Sequence, residues 1–76
     1  MTILKIEVTD DKLALLDDLQ ALCRLPDKKA VINNALTLLG WAAAAVSEGR
    51  IIASVDEKKK VYTEVQTPAL IGAKRP

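Results

Sequence analysis

Lys28 and Lys29 stand directly after Asp27, where a helix-forming pattern begins. Lysines in the first turn of a helix oppose its dipole, at roughly 0.3–1 kcal/mol each. A bound phosphate would reverse that sign and satisfy backbone N–H groups that a helix start leaves without acceptors. The segment Asp27, Lys28 and Lys29 is therefore a candidate anion site, with a plain solvated turn as the alternative. A second cationic run, Lys58, Lys59 and Lys60, falls in a polar turn. Solvation is the readier account of such a run, and contact with phosphates is the other.

Other chemistry is scarce. The chain has no histidine and one cysteine, so a Cys/His zinc site is out of reach. There is no glycine-rich phosphate loop, and the acidic pairs Asp10-Asp11 and Asp17-Asp18 read as solvated. Cys23 falls on the apolar face of a helix and reads as a small core residue. The expectation is no enzyme, no metal and no cofactor. Net charge is +1, with residues 1–24 summing to −2 and residues 50–76 to +3. Such a chain is not a basic nucleic-acid binder by composition, and any electrostatic footprint must be local.

The elements that would position these groups begin with residues 2–8. Leu4, Ile6 and Val8 alternate with Ile3, Lys5 and Glu7, the period of a half-buried strand. Leu4, Ile6 and Val8 should face a core. No second strand is near in sequence, and an unpaired strand leaves backbone groups without partners. Two copies paired antiparallel across a two-fold axis would solve this.

Thr9 supplies an N-cap, Asp10 and Asp11 complement the dipole, and a helix is predicted over residues 10–24. Its apolar positions are Leu13, Leu16, Leu19, Leu22 and Cys23. Leu25-Pro26 breaks it. Asp27 caps a second helix over residues 28–47, apolar nearly all round, with Gly49 ending it as a left-handed cap. A helix without a polar face is covered on more than one side. In 76 residues little chain is left to do so. Gly40 within it marks either close approach of another backbone or a tolerated cost. The longest apolar run, residues 35–46, is shorter than a membrane span requires, and no basic-then-apolar leader follows Met1. A lone cysteine suits a reducing cytoplasm. Residues 50–55 and 60–66 read as strands of a β-hairpin around a turn at 56–59, and residues 68–76 as a frayed tail.

Strand, capped helix, short break and capped helix, carried by Leu4-Lys5-Ile6-Glu7-Val8, Thr9 and the segment from Leu25 to Leu36, resemble the ribbon-helix-helix family of DNA-binding proteins (the Arc, MetJ and CopG type). The resemblance covers residues 2–46. It implies a mainly α fold, an intertwined homodimer of strand-helix-helix chains, here with a C-terminal β-hairpin extension. The implied domains are 1–48 for dimerisation and DNA binding, 49–67 for the hairpin and 68–76 for a flexible tail. It also implies that outward residues of the paired strands, Ile3, Lys5 and Glu7, read base edges in the major groove. The start of the second helix, Asp27, Lys28 and Lys29, would clamp a phosphate. Lys58, Lys59 and Lys60 are secondary phosphate candidates.

Lys5 can donate to guanine O6 or N7, Ile3 can touch a thymine methyl, and Glu7 can accept only from cytosine N4. This departs from the polar or basic outward face that the family's strands usually present. The expected function is a homodimeric, cytoplasmic regulator of transcription, a repressor, in a prokaryotic, archaeal or phage setting, with duplex DNA and no membrane as partner. The alternatives are an antitoxin whose residues 50–76 bind a toxin, and a dimerisation module without a DNA role. A monomeric arrangement with residues 2–8 added to the hairpin is a further alternative.

Overall fold

The computed structural model describes residues 2–74. About half the chain is helical, joined to a two-stranded antiparallel sheet, a mainly α arrangement. The order is α1 (Asp10–Leu22), α2 (Lys28–Ser47), β1 (Ala53–Asp56), β2 (Val61–Glu64) and α3 (Pro68–Ala73). The chain divides into two compact units, residues 1–35 and 36–76.

In the first unit, residues 2–9 hold no regular structure. The strand expected over 2–8 is thus not formed within one chain, and Leu4, expected to face a core, is 81% exposed. Ile6 and Val8 are exposed as well. The reason is elementary: a ladder takes its hydrogen bonds from a neighbour, and the described strands pair only with each other.

α1 starts as its cap dictates, Thr9 Oγ1 accepting from the N–H of Lys12 at 3.3 Å. It stops at Leu22, two residues short of expectation. Arg24 turns into the left-handed region at φ 56. Leu25 N–H then donates to the Gln20 carbonyl and Arg24 N–H to that of Ala21, a complete Schellman closure. Cys23, expected in a core, is the exposed C-cap. α1 has no buried residue.

α2 runs over the expected residues. It closes with the same motif, Arg50 N–H reaching the Ala45 carbonyl at 3.0 Å and Gly49 that of Val46 at 3.0 Å. Here the left-handed position is a glycine, at φ 88. A Cβ added at Gly40 would meet nothing within 4 Å, so no backbone approaches it in the single chain. The apolar run of residues 35–46 is short for a membrane span, but the whole helix has 20 residues and is long and apolar enough to cross a bilayer by length and composition.

The second unit holds a small core of Ala42, Val46 and Leu70, with Ala43, Ile52 and Ala73 packed against it. Its hairpin is shifted from the expected limits. Asp56 stays paired with Val61, and its Oδ1 accepts from the N–H groups of Lys58 and Lys59 at 3.1 Å each. This Asx turn, with Lys60 at φ 54, moves the reversal to residues 57–60.

The tail expected over 68–76 is instead helical over Pro68–Ala73. Pro68 ends the hairpin but also starts a helix, because its fixed φ and missing N–H suit the first helical position. Thr67 Oγ1 caps it by accepting from Leu70 N–H at 3.3 Å. Leu70 is 5% exposed, the anchor that frayed chain would lack. The end of that expected tail, residues 75 and 76, lies outside the described residues, as does Met1.

Candidate nucleic-acid interface

The start of α2 is built by Asp27. Its Oδ1 accepts from the N–H of Ala30 at 2.8 Å, and its carbonyl from the N–H of Val31 at 3.4 Å. The cap uses one of the helix's initial donors. The N–H groups of Lys28 and Lys29 precede it and have no intrahelical acceptor by construction. An anion could use these two donors. The Asp27 carboxylate favours the dipole in its place but repels an incoming phosphate. Asp27 is therefore a shaping residue of the site rather than an anion ligand.

The two lysines differ. Lys28 Nζ lies 2.9 Å from Asp17 Oδ1 on α1, with both side chains about half exposed. Exposed pairs of this kind contribute roughly 0.2–1 kcal/mol. The sequence marks Asp17 as solvated, and nothing in local sequence could reveal a pairing made between two helices. Lys29 is exposed and, among the described residues, forms no ion pair. Its ammonium is the more available of the two for a phosphate.

Ile3, Lys5 and Glu7 are all exposed, on the segment without regular structure. With no ladder in one chain, nothing holds the three side chains on a common face. Lys58, Lys59 and Lys60 are exposed in the hairpin turn of the second unit. The turn uses the backbone N–H groups of Lys58 and Lys59, which leaves the three ammonium groups without ion pairs among the described residues. The structure thus gathers Asp27, Lys28 and Lys29 at one helix start and Lys58 to Lys60 at one turn.

Among the described residues no group of His, Cys, Asp and Glu could hold a metal ion. A half-open cavity of about 290 Å³ lies in the second unit beside the end of α2, lined by Val46, Ile51, Arg50 and Lys74 with Ser47 and Gly49. It falls just under the usual range of ligand sites, about 300–1,000 Å³. Arg50 on its rim is engaged with Glu48 at 3.1 Å.

The larger surface feature is apolar. On α2, Leu36 is 62%, Leu38 63% and Trp41 60% exposed, and Ile32 and Leu39 are also open. No family model matches the chain, and no characterised protein or solved structure does.

Proposed function

We propose that the chain is a ribbon-helix-helix homodimer that binds duplex DNA and regulates transcription in the cytoplasm, as a repressor in the simplest case. The observation that carries this reading is the apolar surface left open on residues 3–8 and on α2, in a chain ordered as unpaired segment, capped helix, capped helix. Obligate homodimers bury about 2,000–5,000 Å² in total, or about 1,000–2,500 Å² per chain. The exposed side chains of Leu4, Ile6, Leu36, Leu38 and Trp41 are the apolar groups such an interface would cover.

In the dimer, residues 2–8 of two chains pair antiparallel and satisfy each other's backbone groups. Leu4, Ile6 and Val8 turn onto the α2 pair, and Ile3, Lys5 and Glu7 face outward. A two-stranded ribbon fits the major groove. Lys5 then donates to guanine, Ile3 touches thymine methyls, and Glu7 restricts its neighbourhood to cytosine N4. The N–H groups at the start of α2, with Lys29, hold a phosphate and fix the register. Lys58 to Lys60 would add flanking phosphate contacts.

The test is titration of duplexes selected from a random pool, repeated over a range of salt. Specific binding should fall steeply with salt, with a log–log slope set by the phosphates neutralised. A chain with no duplex affinity at low salt has no DNA role, and the reading fails.

One observation favours a second reading: α2 is long and apolar enough to cross a bilayer. Lipid would cover its open face as a partner chain would. Asn33 and Asn34, which are costly in hydrocarbon, weigh against it. Fractionation separates the two, since a spanning helix sediments with membranes and resists alkaline extraction.

A further inference from the structure

β1 and β2 form a ladder with two outer edges. The N–H of Val65 donates to the Ile52 carbonyl at 2.7 Å, so these opposed residues form a hydrogen-bonded pair. Bonded and non-bonded pairs alternate along an antiparallel ladder. Ser54 with Thr63 and Asp56 with Val61 are then bonded pairs, whereas Ala53 with Glu64 and Val55 with Tyr62 are not. The main-chain groups of Ala53 and Val55 therefore point away from β2. So do those of Ile51, one step earlier in the same alternation. No other described residue hydrogen-bonds to the backbone of Ile51, Ala53 or Val55.

Open edges are ordinarily blunted by lysine, proline or a bulge. Residues 51–55, Ile-Ile-Ala-Ser-Val, carry none of these. The opposite edge, on β2, is guarded by the Glu64 carboxylate and ends before Pro68. The two edges are thus not equivalent, and β1 is the one left free to pair.

The residues of this edge also select the partner. An antiparallel match of β1 with itself uses all its outward groups in one register, with Ala53 facing Ala53 on the two-fold axis. Ile51 of one copy then lies opposite Val55 of the other, on the same face. Both are more than half exposed in the single chain, at 52% and 64%. β-branched cross-strand pairs are favourable, at roughly 0.2–1 kcal/mol each. One step further out, Arg50, held to Glu48 at 3.1 Å in the single chain, comes opposite Asp56, whose Oδ1 serves the hairpin turn, so opposite charges lie across from each other at both ends of the match. Other registers of β1 align fewer outward groups.

We propose that the β1 edge is a second self-association surface, joining two copies into a four-stranded antiparallel sheet. It is separate from the ribbon formed by residues 2–8. Together the two interfaces would link dimers into assemblies larger than two chains.

The test is the mass of the full chain in solution across protein concentration, for wild type, Ala53→Pro and Val55→Lys. Proline at residue 53 removes an outward donor and leaves the β1–β2 bonds intact. Lysine at residue 55 guards the edge without altering the backbone, and circular dichroism confirms that each variant is folded. Wild type should grow beyond two chains as concentration rises, with both folded variants halting at two. Variants that still grow beyond two chains overturn the proposal, as does a wild type that stays at two chains with variants also at two. A wild type of two chains that falls to one in the variants keeps the β1 pairing and overturns the ribbon dimer instead.

Discussion

Leu36→Ala measures how much of the dimer rests on α2. Leu36 is 62% exposed in the single chain, and the proposed partner covers it. Burying a leucine completely contributes about 1.5–3 kcal/mol relative to full exposure. Scaled to the part still exposed, the loss is about 1–2 kcal/mol per chain. A two-fold interface repeats the loss, so the dimer weakens by about 2–4 kcal/mol before any cavity cost is added. At 1.4 kcal/mol per decade, the dissociation constant rises roughly 30- to 700-fold. Sedimentation equilibrium over a wide concentration range reads this directly. Val31→Ala serves as the contrast, because Val31 is already 5% exposed within one chain and its truncation acts first on folding. A Leu36→Ala dimer constant within about threefold of wild type would refute the covering of α2 by a second copy, since the transfer term predicts no less than the lower bound.

The remaining predictions concern the helix ends and the phosphate site. Lys29→Ala should weaken duplex binding across sequences and lower the salt slope by about 1 for each phosphate no longer neutralised; an unchanged slope removes Lys29 from the interface. Asp17→Ala should cost at most about 1 kcal/mol of stability while strengthening duplex binding, because the Lys28 ammonium is released from its ion pair; weaker binding would show that the pair positions the site. Arg24→Gly should stabilise the fold by about 1–2 kcal/mol, because the left-handed φ at residue 24 is strained for a side chain, and thermal melting that shows no rise in midpoint counts against the Schellman closure. Asp27→Ala should cost about 0.5–2 kcal/mol through loss of the cap to Ala30, and denaturant titration measures it.

Much of the local structure is legible in the residues themselves, because caps and breakers act over three or four positions. Thr9 and Asp27 start their helices where their side-chain oxygens predict, and Gly49 ends α2 in the left-handed conformation. The misses share a cause. Arg24 takes the same conformation without being glycine, so its residue type carries no signal. Asp56 shifts the hairpin through side-chain bonds to two backbone donors, a choice that strand periodicity does not contain. Cys23 has the spacing of an apolar face but lies at a helix end, where no core reaches it in the single chain. Of the anion site, its place at the start of α2 is legible. The difference between Lys28 and Lys29 is not, because it depends on Asp17 across a helix–helix approach.

Propensity, capping and hydropathy are properties of short segments, and they suffice for the existence of α1, α2 and the hairpin, though not for every limit, and for the excess of aliphatic side chains. The helix over Pro68–Ala73 needs more than its own residues, because Leu70 must have Ala42 and Val46 to pack against. Which apolar side chains remain open is likewise settled only once the chain has folded. Burial depends on what lies opposite a residue, and Leu4, Leu36, Leu38 and Trp41 stay mostly exposed.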